Sequence, residues 1–267
     1  MIITSFSQKG YHEYGKRFIE GFLKHWKDQT LTVYYEHGIP SAAPKDDRII
    51  YKDLYSFDDF KQIEAVLNNS DPIYSGKHIN PQNPQQQVYN FRYDANRFYR
   101  KVFAICDACH SQNGIVAWVD ADVVFKADIP PNFLQGIFAV KEGEPEFYMA
   151  VLERKWLYSE NGFVGFNTNH PANNFFMPLW YNTYAEGAFK YLGEFHDCYS
   201  MDFIRTAMAI PYKNLNPNEQ SNHPFQESIL GEYMEHLKGP ERKAQGGLLD
   251  KDPGVEKPET QRPKVLS

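Results

Sequence analysis

Cysteine is scarce in this chain. Three in 267 residues is an odd number that supports no disulfide framework, so a reducing, cytoplasmic setting is expected. No apolar run approaches the roughly 20 residues that a membrane-spanning helix needs. The opening Met1-Ile2-Ile3-Thr4-Ser5-Phe6 has neither the basic flank nor the long apolar centre of a signal peptide. Positive charge is also short, with 28 Lys and Arg against 34 Asp and Glu and a formal net charge of −6. Without a dense Lys/Arg run, this excludes the basic footprint of a nucleic-acid binder. No internal repeat is visible. Aromatics, by contrast, are abundant at 16%, with 20 Phe and 18 Tyr in a chain that is 42% hydrophobic. They are large core fillers, and their faces also suit planar bases and sugar rings. The length is enough for one large α/β domain or two small ones.

The first half alternates strand-like and helix-like segments. Residues 2–6 read as a buried strand, and Phe18, Phe22, Leu23 and Trp26 recur at helical spacing within a helix over 11–26. Leu31–Tyr35 and Arg48–Tyr51 read as strands. Ser56, with Asp59 three residues on, predicts a capped helix carrying Phe57, Phe60, Ile63, Val66 and Leu67. Residues 68–90, with Pro72, Pro81, Pro84 and many Asn and Gln, read as a long polar loop. A helix over 94–111 follows. Later strands are expected at 147–152 and 163–166. Helices are expected within 174–192 (broken at Pro178), at 200–208 with Ser200 as cap, and at 225–230. Residues 244–267 read as a flexible polar tail after a domain spanning 1–243. Such alternation predicts a mostly parallel sheet covered by helices, with ligands bound outside the carboxyl ends of the strands.

The sharpest feature is Trp118-Val119-Asp120-Ala121-Asp122 at the end of the apolar run Ile115–Val119. Carboxylates beside a core need positive compensation, and a hard divalent cation with a preference for oxygen ligands supplies it. A second segment with suitable chemistry comes more than a hundred residues later, Glu235-His236-Leu237-Lys238-Gly239-Pro240-Glu241-Arg242-Lys243. A neutral imidazole can complete a metal's ligand set. Lys238, Arg242 and Lys243 can neutralise phosphate oxygens, and Gly239 lets backbone approach a phosphate closely.

An Asp-x-Asp at an apolar strand end followed by His236-x-x-Gly239-x-x-Arg242 resembles glycosyltransferase family 8, the glycogenin and galactosyltransferase group. There the second motif ends in Lys, and Arg keeps its charge. Arg97 and Lys101 lie on the helix where that family places a basic residue near the diphosphate. Glu160-Asn161-Gly162-Phe163-Val164-Gly165-Phe166-Asn167 is similar to the family's donor-sugar segment, with Glu160 in place of its first Asn. His196-Asp197 and Ser200-Met201-Asp202 lie where the family has an acidic turn opening a helix.

The resemblance implies a GT-A, Rossmann-like α/β fold with a mixed, mostly parallel sheet. It also implies an enzyme that transfers a sugar from a nucleotide-diphosphate donor to a glycan, lipid-linked or protein acceptor. Asp120, Asp122 and His236 would hold Mn²⁺ or Mg²⁺, and Asp120 would also face the donor. Lys238, Gly239, Arg242 and Lys243 would meet the diphosphate, Asn161 and Gly162 the sugar, and Thr4, Ser5 and Phe6 the base and ribose. The candidates for the group acting at the anomeric carbon are Asp197, Asp202 and Glu160.

Other motifs point elsewhere with less support. Cys106-Asp107-Ala108-Cys109-His110 matches a haem-attachment pattern, and the same pair with His196 or Cys198 would suit zinc. Both patterns fall within a helix, where buried thiols are the simpler reading. Asp120-Ala121-Asp122-Val123-Val124 is similar to the signature of haloacid dehalogenase-like phosphatases, whose first Asp is a nucleophile, but that signature opens its chain. Ser7-Gln8-Lys9-Gly10 is too thin for the phosphate loop of a sugar nucleotidylyltransferase. A non-catalytic nucleotide-sugar or glycan-binding module is the remaining alternative.

Overall fold

A computed structural model describes residues 1–237 except Pro40, Pro81, Glu219 and Asn222. Lys238, Gly239, Arg242, Lys243 and the expected tail at 244–267 therefore lie outside the described residues.

The chain opens with β1 (Ile2–Ser7) and a helical run in three parts: α1 (Gln8–Gly10), a π-helical turn at Tyr11–Gly15, and α2 (Lys16–His25). Ser7 caps the run, its hydroxyl accepting from the Gly10 amide at 3.1 Å, so helix starts three residues earlier than the apolar spacing indicates. β2 (Leu31–Glu36), β3 (Ile49–Asp53) and α3 (Asp58–Asn68) follow. The expected Ser56 cap is not formed: Ser56 closes a 3-10 turn and Phe57 precedes the helix.

The segment read as a long loop is instead an antiparallel hairpin, β4 (Ser75–Asn80) and β5 (Asn83–Asp94), after a 3-10 turn at Pro72–Tyr74. Its prolines mislead because Pro72 opens the turn and Pro84 is the second residue of a strand, places that tolerate a missing N–H.

α4 (Ala95–Ser111) leads into β6 (Ile115–Val119), β7 (Val123–Phe125), α5 (Phe133–Phe138), β8 (Met149–Val151) and β9 (Phe163–Asn167). α6 (Asn173–Ala185) continues through Pro178 rather than breaking there. α7 (Asp197–Ala207) starts three residues before the expected cap at Ser200, with His196 as N-cap. β10 (Tyr212–Asn214), α8 (Pro224–Glu227) and β11 (Met234–His236) follow within the described residues. Among the described residues no helix is long and apolar enough to cross a membrane.

Seven strands form one mixed, mostly parallel sheet in the order β10-β8-β9-β6-β1-β2-β3, in which β9 alone runs antiparallel to its neighbours. Both faces are covered, which explains the near-continuous apolar runs in its strands. Ile3, Tyr34, Val116 and Trp118 pack under α3, α4, α6 and α7. Ile2, Leu31, Val33, Ala117 and Val119 pack on the other face with Phe18, Phe22 and Trp26 of the first helix. Each such fully buried side chain is worth roughly 1.5–3 kcal/mol. A separate ribbon pairs β7 with β11 antiparallel, and it brings the end of the described chain back to the Asp-x-Asp turn.

Candidate active site

The parallel strands β1, β2 and β6 deliver their carboxyl ends to one edge of the sheet. Because β9 is reversed, the residues just before it, Glu160 to Gly162, arrive at the same edge. A cavity of about 750 Å³ opens there. It is lined by Ser5, Phe6 and Ser7 from β1, Arg97, Arg100 and Lys101 from α4, Asp120 and Asp122, Glu160 to Gly162, Asp197 and His236. Its position outside the strand ends is the usual ligand site of such sheets.

Asp120 and Asp122 occupy the tight turn between β6 and β7, closed by the Val123 amide donating to the Asp120 carbonyl at 3.0 Å. In the β7–β11 ribbon His236 is the register partner of Val123, next to Asp122. That pairing puts His236 Nε2 3.2 Å from Asp122 Oδ1 and 3.6 Å from Asp120 Oδ2. The three ligand atoms lie within 4.8 Å of one another. A divalent cation bound octahedrally at about 2.1 Å needs neighbouring donors about 3 Å apart, so this set fits Mg²⁺ or Mn²⁺.

Two further features prepare His236 for that role. Its Nδ1 lies 2.7 Å from Glu160 Oε1, which turns Nε2 towards the aspartates, the carboxylate–histidine arrangement common behind metal ligands. The ring lies directly over Gly162: a Cβ there would meet His236 Nδ1 and would sit 2.7 Å from Cε1. Burial draws the imidazolium pKa down, but Asp122 and Glu160 outweigh it and lift it to about 10. A proton supplies here the positive charge that the surrounding carboxylates demand.

Lys101 ties the metal side of the cavity to its other wall. Its Nζ donates to Asp120 Oδ1 at 2.8 Å and to the Asn161 carbonyl at 2.7 Å, and lies 3.1 Å from Asp197 Oδ2. Burial opposes its charge, but Asp120 and Asp197 raise its pKa well above the lysine value. For Asp197 burial likewise favours the neutral form, yet Lys101 and the Asn161 amide, 3.0 Å away, hold it ionised with a lowered pKa. Trp118 Nε1 donates to Asp120 Oδ1 at 2.6 Å, so that oxygen is fully engaged while Oδ2 faces His236.

Most of the expected site residues within the described chain thus line one cavity. Thr4 does not, being fully buried below it. Asp202 does not either. Five residues on from Asp197 it is rotated by about 140° around α7. There it accepts from the Ser159 amide and hydroxyl at 2.6 and 2.9 Å and pairs with Arg205, which also pairs with Glu153. Asp202 is a buried structural anion. Glu160 faces the cavity with its Oε1 2.7 Å from His236 Nδ1.

The zinc reading fails on placement. Neither Cys106 nor Cys109 belongs to a metal-capable group among the described residues, and both are buried in α4 with raised thiol pKa values. His196, Asp197 and Cys198 do cluster, but His196 Nδ1 accepts from the Tyr199 amide at 3.2 Å and Nε2 lies 2.8 Å from Glu194 Oε2, so both ring nitrogens are occupied.

Sequence reasoning missed Trp118, Glu36, Arg100 and the pocket residues of the β4–β5 hairpin. Trp118 lay within reach, since a residue two before Asp120 on a strand shares its face. Glu36, at the carboxyl end of β2, receives Arg100 Nε at 3.1 Å. Phe91 and Arg92 line the cavity from the end of β5, just past the 68–90 segment read as loop.

Neither a family model nor a curated protein sequence matches the chain. Among solved structures it is similar to mouse xyloside xylosyltransferase 1 in its apo form, with 10% identity, TM-score 0.44, and coverage of 80% of this chain and 84% of that one. It is similar to the galactosyltransferase LgtC in complex with donor and acceptor sugar analogues, with 11% identity, TM-score 0.48, and 94% and 97% of the two chains covered. A glycosyltransferase involved in glycosylation of the major capsid of PBCV-1 matches with 12% identity, TM-score 0.44, and 91% and 98% covered.

Proposed function

We propose that this chain is a metal-dependent glycosyltransferase that moves a sugar from a nucleotide-diphosphate donor to a carbohydrate, lipid-linked or protein acceptor. The observation that carries the reading is the convergence of Asp120, Asp122 and His236 on one point of the cavity, with Glu160 and Gly162 shaped around the imidazole. Mn²⁺ or Mg²⁺ held by those three would neutralise charge on the departing diphosphate.

The chain's own side chains supply the rest. Ser5, Phe6 and Ser7 form a wall for base and ribose at the end of β1. Arg97, exposed at the cavity, offers a guanidinium to phosphate oxygens. Lys238, Gly239, Arg242 and Lys243 are further phosphate partners in this reading, on the strength of their motif. Lys101 fixes Asp120 and Asp197 at a constant separation. Asp197 is ionised, faces the cavity and lies across Lys101 from the metal side. Of the three acidic candidates it is the one placed to stabilise positive charge developing at the anomeric carbon. A phosphatase-type nucleophilic role for Asp120 is disfavoured, because its Oδ1 already accepts from both Trp118 and Lys101.

The test is a panel of nucleotide sugars with Mn²⁺, read by thermal shift and by slow donor hydrolysis. The expected result is stabilisation by one donor, with hydrolysis that chelator abolishes. Stabilisation without turnover under any acceptor would establish the binding module instead. Hydrolysis of simple phosphate esters without any donor effect would replace the proposal with a phosphatase.

A further inference from the structure

Resting on the glycosyl-transfer reading above, we infer that the β4–β5 hairpin is an acceptor platform and that it takes a neutral oligosaccharide. From Ile79 to Phe91 the sequence carries no charged residue, in a chain where 23% of residues are charged. Five of those residues are Gln or Asn between 82 and 87. The described part of this stretch is nevertheless on the surface, with Ile79, Tyr89 and Phe91 exposed by 67, 57 and 43%. An exposed two-stranded edge without charge invites unwanted strand pairing, and proteins normally blunt such edges with Lys or inward-turned charges. A surface left both uncharged and partly apolar implies a ligand that it serves.

The register shows which side is available. Lys77 pairs with Tyr89 and Ile79 with Gln87, so these four share one face, while His78 and Val88 share the other. The His78 ring packs edge-on against Tyr93 at 4.7 Å, and Tyr93 packs against Phe195 of the domain body. His78 therefore turns inward and Ile79, Gln87 and Tyr89 turn to the opposite side, while Val88, beside His78, stays 36% exposed. The hairpin also runs into the cavity. Phe91 lines it, and Tyr89 accepts at its hydroxyl from Arg97 Nη1 at 3.4 Å, Arg97 being itself a cavity residue.

The chemistry of this face selects the ligand. Gln side chains offer both donor and acceptor atoms without charge, the complement of sugar hydroxyls. The tyrosine ring and the isoleucine side chain give flat apolar area for the C–H faces of pyranose rings. An acidic glycan would instead call for Arg or Lys along this face, where the paired strands offer Lys77 alone and Arg97 stands at the cavity end, bonded to the Tyr89 hydroxyl. Six residues of β4 extend roughly 20 Å, which suits several linked sugars rather than one.

The full chain, with Mn²⁺ and UDP or GDP present, is titrated with maltopentaose, cellopentaose and chitopentaose, and with pentagalacturonate as the acidic counterpart. Binding is read by saturation-transfer NMR. At least one neutral pentasaccharide is expected to bind. The paired change Ile79→Ala with Gln87→Ala should weaken it about tenfold, the scale for removing two central contacts. Val88→Ala, on the side opposite Ile79 and Gln87, should leave it within about twofold. Slow donor hydrolysis without acceptor should stay near the wild-type rate in both variants. Tighter binding of pentagalacturonate, no binding of any neutral probe, or equal binding by the paired variant would each overturn the inference. So would a concentration-dependent dimer abolished by the paired variant, which would make the face a contact between copies of this chain. Failure of donor hydrolysis in the wild type would instead sink the transfer reading, while the glycan titration still scores the platform.

Discussion

Two clusters in this fold have nearly the same composition and opposite meanings. His236 stands with Asp120 and Asp122, and His196 stands with Asp197 and Cys198; both groups bring potential metal-ligand atoms within 4.8 Å. The difference lies in what each imidazole has already committed. His236 gives Nδ1 to Glu160 and turns Nε2 to the Asp122 and Asp120 oxygens, at 3.2 and 3.6 Å, so its outer partners are the other members of its own cluster. His196 gives Nδ1 to the Tyr199 amide as a helix cap and Nε2 to Glu194. A histidine whose outer nitrogen points at the other candidate ligands has the geometry of a metal ligand, whereas one held between a helix amide and an outside carboxylate has that of a scaffold residue.

The comparison breaks first at its metal side. Asp122→Ala and His236→Ala each remove one of the three proposed ligands. Each should lower Mn²⁺ affinity on the order of a hundredfold or more, above the ten- to hundredfold typical of losing an outer partner. Isothermal titration with Mn²⁺ reads this directly, and unchanged affinity in both variants would end the metal assignment. The next effect tests orientation. Glu160→Gln keeps shape and burial but weakens the hold on Nδ1, with an expected loss of about tenfold to a hundredfold in Mn²⁺ affinity. Gly162→Ala should act in the same direction by pushing the ring off its seat, since a Cβ there collides with the imidazole. If Glu160→Gln bound Mn²⁺ as wild type does but abolished donor hydrolysis, Glu160 would act at the sugar instead.

The difference between the two histidines explains how far the sequence could be read. The Asp-x-Asp turn was legible because an apolar strand ending in two carboxylates is a local pattern, and alternation of elements implied the parallel sheet. The late His-x-x-Gly motif raised His236, but its meeting with Asp122 depends on the β7–β11 ribbon, a pairing across more than a hundred residues that no local period encodes. The hairpin at 75–94 was missed because prolines and amides read as loop when their positions at a turn and a strand start are unknown. Asp202 was misjudged beside Asp197 because the choice of start for α7 decides which way each side chain faces. A cap at His196 rather than Ser200 turns Asp197 to the cavity and Asp202 into the Arg205 network. His196 itself could not be sorted from His236 by residue type, since both lie near acids in sequence; only their hydrogen-bond partners separate them.

The smaller effects probe the scaffold side of the comparison. His196→Ala removes the side-chain cap of α7 and leaves Glu194 with Arg92 as its remaining charged partner. Loss of a cap costs about 0.5–2 kcal/mol. Urea denaturation should therefore show a stability loss of that order, with Mn²⁺ affinity unchanged. His196→Asn, which can still cap, should recover most of the loss. Cys198→Ala should matter least. The thiol lies 3.7 Å from Asp197 Oδ1 and lines the cavity, and burial holds its pKa far above the free-thiol value, so it adds no charge beside Asp197. Its removal should change stability by no more than about 0.5 kcal/mol and leave Mn²⁺ affinity intact. If either His196→Ala or Cys198→Ala weakened Mn²⁺ binding as strongly as His236→Ala does, the partners of the ring nitrogens would not be what separates the clusters. The cation would then sit nearer Asp197 than the Asp-x-Asp turn.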